Sequence, residues 1–210
     1  MEIKNKQLER FLKLAAGKFG IDERLTEEDL RKINELNISK VSPIGEDYKI
    51  DLSEMPELPN LAILSLRNFE IKEEDAKKIN GYTNLSGISF VACSFVDENT
   101  ELNPKALRSL SLLYCQNTGN LKYSAPETLR VVCAEPVDLS RIAGIDNVSR
   151  LDLHLSRVSG FNALMNSSKL EELILDGSEY TDEEKETINK LKAARPNIKV
   201  SQKEDYEPTM

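Results

Sequence analysis

Leu107, Leu110 and Leu112 fall at offsets 0, 3 and 5 of a short stretch that closes on Cys115 at offset 8. The same spacing returns at Leu85, Ile88, Phe90 and Cys93, and again at Leu170, Leu173, Leu175 and Ser178. Looser copies start at Ile33, Leu61, Leu129 and Val148, so that successive starts lie 28, 24, 22, 22, 19 and 22 residues apart. Offsets 3 and 5 straddle one residue, and alternation along a strand sends both side chains to one side. A coil of this length cannot enclose a core alone. Stacked coils can, because their strands pair in parallel and their apolar residues merge into one interior. The spacing therefore predicts a solenoid. In the fifth coil it reads Leu129, Val132 and Ala134 as the inward residues.

Offset 8 holds Val41, Phe69, Cys93, Cys115, Val137, Ser156 and Ser178. It lies just past each strand, where the chain turns inward and a small residue fits. Cys93 and Cys115 are accordingly read as structural rather than reactive. The return segments are uneven. Lys72 to Asn80 has a helical pattern stopped by Gly81, whereas Pro104, Gly119, Pro126 and Gly144 break the later returns into loops or single turns. Val158, Phe161 and Leu164 would support one such turn.

The ends differ from the middle. Leu8, Phe11, Leu12, Ala15, Ala16 and Phe19 predict one amphipathic helix from Met1 to Phe19, ended by Gly20. Thr-Glu-Glu-Asp from Thr26 and Thr-Asp-Glu-Glu from Thr181 are helix starts, with a capping hydroxyl and early carboxylates. The expected organisation is a helical cap over residues 1–32, about seven repeats over 33–180, a closing helix and strand over 181–200, and a flexible tail over 201–210.

Within these repeats, Leu25 to Ser39 resembles the lead-in to the repeat domain of internalin-like bacterial proteins. Pro59-Asn60-Leu61 and Thr83-Asn84-Leu85 resemble the starts of their repeats. The Cys at offset 8 and the Pro196-Asn197-Ile198-Lys199-Val200 ending are more like the ribonuclease-inhibitor type. The chain thus resembles the leucine-rich repeat family. That resemblance implies an α/β solenoid with a curved parallel sheet on the concave face, helices and irregular turns on the convex face, and a helical N-terminal cap. It also implies binding of another protein on the concave sheet; from the residues themselves, neither catalysis nor a cofactor is expected.

Strand residues at offsets 2, 4 and 6 point away from the core and form columns across the sheet. By the spacing, the middle of this face carries Ser89, Val91, Ser111, Leu113, Val131 and Cys133, with Arg67 on one side and Tyr114 just past its strand. Small and apolar residues rimmed by charge are the composition of a protein interface. The C-terminal third places Glu135, Asp152, His154, Glu172 and Asp176 around Arg150, with Glu135, His154 and Asp176 in one column. Such a row would hold a divalent cation, grip a Lys or Arg of a partner, or simply be a solvated charged face.

Composition narrows the alternatives. Hydrophobic residues at 40% and charged residues at 30% fit a packed domain, and a formal net charge of −8 opposes general nucleic-acid binding and suits a basic partner. Three cysteines make no disulfide framework or zinc spacing. His154, the one histidine, would have to meet Cys133 to make a thiol enzyme. No apolar run nears the ~20 residues that span a bilayer, and Met1 to Gln7 is charged. The expectation is a monomeric, cytoplasmic bacterial scaffold without a membrane partner, metal or cofactor. An immunity-like inhibitor of a basic toxin is one version of it, and a secreted or surface adhesion domain of internalin type is the other reading.

Overall fold

The computed structural model describes residues 3–20, 22–40, 49–154, 157–176 and 180–201. Eight strands form one parallel sheet in chain order: β1 (Glu35–Ser39), β2 (Ile63–Arg67), β3 (Gly87–Val91), β4 (Ser109–Leu113), β5 (Thr128–Val132), β6 (Arg150–His154), β7 (Glu172–Ile174) and β8 (Lys199–Ser201). The register aligns Leu36, Leu64, Ile88, Leu110, Leu129, Leu151 and Leu173 as direct neighbours. A second row runs Ile38, Leu66, Phe90, Leu112, Val131 and Leu153. All of these are at most 3% exposed. Each contributes on the order of 1.5–3 kcal/mol by leaving water. This is a leucine-rich repeat solenoid.

The fifth coil departs from the spacing. Ser109 pairs with Thr128 and Leu110 with Leu129, so Leu129 stands at offset 3 and the coil starts at Pro126, which is buried. The 19-residue step therefore lies between Leu107 and Pro126. A shift of three residues is odd, and an odd shift exchanges the two faces of a strand. Val131 becomes core at 2% exposure, Val132 turns to the open face, and Ala134 is exposed. Burial decides the matter, since only this register continues both apolar rows between Leu110 and Leu151.

The turns after β2, β3 and β4 use one device. Asn68, Ala92 and Tyr114 each adopt the left-handed region, at φ 60, 51 and 56. Their N–H groups donate to Val91 O, Leu113 O and Val132 O of the next coil, at 2.9, 2.8 and 2.5 Å. The chain then dives inward at Phe69, Cys93 and Cys115, all buried. The Cys93 and Cys115 thiols donate to Leu66 O at 3.3 Å and Phe90 O at 3.4 Å, one coil back. After β5 no such turn occurs, and Cys133 itself is buried. Val137, half-buried, begins a short return strand instead. Val41, Ser156 and Ser178 lie outside the described residues.

On the return side, α3 (Glu73–Asn80) is the longest helix between the caps, and its first turn receives Asp97 from the next coil, which accepts from Glu73 N at 2.9 Å. Residue pairs such as Glu70–Ile71 with Ser94–Phe95 make short parallel ladders, which the spacing did not predict. Asparagines tie coil to coil. The Nδ2 groups of Asn60 and Asn84 donate to Arg31 O and Pro59 O, both at 2.7 Å.

At the N-terminal end, α1 (Lys6–Ala15) packs beside β1, followed by α2 (Glu27–Lys32). Helix α1 is shorter than its apolar pattern predicts. Asn5 caps it by accepting from Gln7 N and Leu8 N, and Gly17 ends it at φ 73. At the other end α4 (Asp182–Ala194) is capped by Thr181 and buries Ile188 and Leu191. The Glu184 carboxylate does not fold back on that cap. It accepts from Gly160 N and Phe161 N at 3.0 and 3.2 Å, joining the closing helix to the preceding coil. Gly160 sits at φ 75, where an added Cβ would come within 2.8 Å of Ser140 N.

Candidate functional site

One face of the sheet carries the core, and the other is open. The open-face columns follow from the register. Offset 2 holds Glu35, Ile63, Gly87, Ser109, Thr128, Arg150, Glu172 and Lys199. Offset 4 holds Asn37, Ser65, Ser89, Ser111, Arg130, Asp152, Ile174 and Ser201. Along offset 6 run Ser39, Arg67, Val91, Leu113, Val132 and His154.

Val91, Leu113 and Val132 thus stand side by side on three hydrogen-bonded strands, spaced by about 4.8 Å. Val91 and Leu113 are half-buried, and Val132 is 6% exposed. Arg67 flanks them on β2 and is exposed. Tyr114 stands just past β4 with 64% of its surface in solvent. Its backbone is left-handed, a conformation that favours glycine and costs about 1–2 kcal/mol for a side chain of this kind. Ser89 and Ser111 provide a low floor beside this apolar column.

The C-terminal third is mixed in charge and largely self-paired. Arg130 Nε lies 3.4 Å from Asp152 Oδ2, and His154 Nε2 faces Asp152 Oδ1. Arg150 pairs with Glu172 across β6 and β7. Asp176 accepts from Ser201 Oγ at 3.4 Å. Asp152 is 7% exposed, so the Arg130 guanidinium supplies the counter-charge to a carboxylate that water barely reaches. Across the columns named above and Asp176, Arg67, Arg130, Arg150 and Lys199 balance Glu35, Asp152, Glu172 and Asp176. The chain's negative charge therefore lies elsewhere, much of it in helix first turns such as Glu27–Asp29, Glu73–Asp75 and Asp182–Glu184.

Three residues expected on this face are not there. Val131 is in the core. Cys133 is buried and its thiol donates to Glu135 O at 3.5 Å. Glu135 is turned to the return side, where its carboxylate accepts from Asn117 N, Thr118 N and Thr118 Oγ1 at 2.6, 2.9 and 2.8 Å. It caps the short turn Thr118–Asn120, whose preceding Asn117 is left-handed. The row Glu135–His154–Asp176 consequently does not exist, because β5 contributes Val132 beside His154. Among the described residues no group of three or more His, Cys, Asp or Glu side chains is arranged to hold a metal ion. Thr128, Arg130 and Val132 take the vacated places. The available signal was Leu129-Arg130-Val131-Val132, which matches Leu110-Ser111-Leu112-Leu113 residue for residue.

Burial pushes the Cys93 thiol up and the Cys115 thiol up to about 12, against smaller opposing hydrogen bonds. Both are kept protonated, as suits packing rather than nucleophilic chemistry. No described helix is long and apolar enough to cross a membrane.

No protein-family model matches the chain, and no curated protein matches it. Among solved structures, internalin C2 from Listeria monocytogenes is similar, with a TM-score of 0.54 at 16% sequence identity, over 96% of this chain and 94% of that one. At this identity the likeness concerns the fold, and it agrees with the parallel sheet and coil stacking described above.

Proposed function

We propose that this protein is a non-catalytic interaction scaffold that seats a protein partner on the open face of its sheet. The observation that carries the reading is the adjacency of Val91, Leu113 and Val132, flanked by Arg67 and the strained, exposed Tyr114. An apolar centre with an aromatic residue and an arginine at its edge is the make-up of an interface hot spot. Arg130, Asp152, His154, Arg150, Glu172 and Asp176 form a polar rim on one side, already paired and so held in place for recognition. Internalin-like folds are interaction modules, which supports the same reading. The balanced charge of the face gives a basic partner no net field to follow, so a partner of mixed or neutral surface fits better, and salt should weaken binding little. A cytoplasmic setting and a monomeric state complete the proposal.

The test is capture of the partner from an extract of the source cells, identification by mass spectrometry, and binding measurements on the purified pair. Val91→Asp with Leu113→Asp should weaken binding by roughly 100-fold, since charges would be buried without partners. An unchanged circular dichroism spectrum must accompany the loss. Undiminished binding would remove the open face from the account.

A further inference from the structure

The N-terminal cap presents a second surface that the open sheet face does not include. Helix α1 stops at Gly17, where Gly17 N and Lys18 N donate to Leu14 O and Lys13 O at 3.0 and 2.8 Å. The chain then swings away, and Phe19, which the helical pattern would have turned inward, is left 80% exposed. Leu14, 48% exposed, stands beside it. Together they wall a groove of about 340 Å³ whose rim carries Arg10, Lys13 and Lys18, with Glu9 as its one lining carboxylate.

The carboxylates around this groove are already engaged. Glu9 is shared by Lys6 and Lys13 at 3.0 and 3.4 Å. Asp29 takes Lys18 at 3.1 Å together with the hydroxyl and N–H of Thr26. Glu23 accepts from Gly20 N at 2.9 Å. Arg10 is exposed and in no ion pair among the described residues. The groove sets two exposed apolar side chains beside three cations and one carboxylate; Lys13 and Lys18 are held in the ion pairs above, Arg10 is not, and on a chain of net charge −8 this local excess of positive charge is complementary to negative charge around one apolar side chain. We propose that this groove docks an acidic peptide segment of a partner protein, anchored by a single Leu, Phe or Trp between Leu14 and Phe19.

The full chain would be titrated, by fluorescence anisotropy, against synthetic peptides of about twelve residues in which one central Leu, Phe or Trp is set among Asp and Glu. Matched peptides would carry the same anchors among Gly and Ser, or among Lys. The acidic set should bind at least about tenfold tighter than either control set. Leu14→Asp with Phe19→Asp should weaken it about tenfold or more with no change in Tm, because both side chains are exposed. Arg10→Glu should weaken it as well, and Val91→Asp should leave it intact, which separates this site from the open sheet face. Equal binding of all three sets, or binding indifferent to Leu14 and Phe19, would overturn the proposal. So would self-association in sedimentation that Phe19→Asp abolishes, which would make a second copy the occupant. Tighter binding to phosphatidylserine vesicles than to the acidic peptides would overturn it in favour of a membrane surface.

Discussion

Arg130 and Asp152 are direct partners across β5 and β6, with Arg130 Nε 3.4 Å from Asp152 Oδ2. Neither neighbour could meet the other in the register that the leucine spacing of the fifth coil implies. There, Cys133 would stand opposite Asp152, and Asp152 would keep only His154. The pair is a consequence of Leu129 filling the row between Leu110 and Leu151.

The first prediction concerns the strength of that pair. The Arg130 side chain is 48% exposed, and Asp152 is nearly buried. A half-solvated pair of this kind is worth about 0.5–1 kcal/mol. A double-mutant cycle of Arg130→Met and Asp152→Asn, read by urea unfolding, should return a coupling in that range. A coupling near zero would mean that the Arg130 guanidinium does not compensate the carboxylate.

The register itself can be tested by contrast. Val131→Asp places an unpaired charge in the core and should cost about 4 kcal/mol or more, enough to unfold a marginal domain. Thr128→Asp, on the open face three positions earlier, should change stability by less than about 1 kcal/mol. The opposite ranking in thermal or urea unfolding would restore the spacing-based register.

Cysteine chemistry gives a third expectation. Cys93, Cys115 and Cys133 are all buried thiols outside any disulfide. A disulfide-forming colour reagent should therefore titrate all three thiols only after denaturation, and react slowly with the native protein. The Cys115 thiol, ordinarily ionising near 9, is held protonated up to about 12. The unfolded thiol loses its proton first, so this contribution to stability is complete below pH 9 and falls away as pH rises toward 12. Cys115→Ala should flatten part of the alkaline limb of the stability profile. Rapid labelling of the native chain would contradict this account.

Acid should act on the N-terminal cap. The Thr26 hydroxyl, then the Thr26 N–H, and then Lys18 hold the Asp29 carboxyl at about 2, below its ordinary 3.8. Above pH 3.8 the group is ionised in both folded and unfolded chains, and its stabilising effect is complete. As pH falls from there toward 2 the unfolded chain binds the proton first, and the effect is lost. Asp29→Asn should therefore lower the urea midpoint at pH 6 and lose most of that difference near pH 2. A gap that does not change with pH would exclude the carboxylate as its source.

The places where reading and structure part have one physical origin. In the first four coils and in the sixth, a leucine, isoleucine or valine start at the expected spacing singles out the strand's two inward residues, even where Val91 or Leu113 adds a third apolar one; the fifth has Pro126 in the place of that start. In the fifth, Leu129, Val131 and Val132 are all apolar, so two registers satisfy the local pattern. The spacing puts Glu135 in a column with His154 and Asp176, whereas in the structure it caps the Thr118 turn. The N-terminal helix shows the same ambiguity. Gly17 and Gly20 are both plausible stops, and the choice of Gly17 moves Phe19 from the apolar face into solvent.

Local chemistry, legible in the residues alone, determined the parallel coil stack, the inward rows, the Thr26 and Thr181 helix starts and the structural cysteines. The helix starts and the inward turns depend on neighbours within a few positions, and the stack and its rows on a short pattern that recurs from coil to coil; in both, strand alternation and helix capping leave little freedom. Which residues reach the open face around β5, and which cations and apolar groups border the α1 groove, only the tertiary structure decided. Those outcomes depend on fitting one coil between two others, and a chain read by itself carries no measure of that fit.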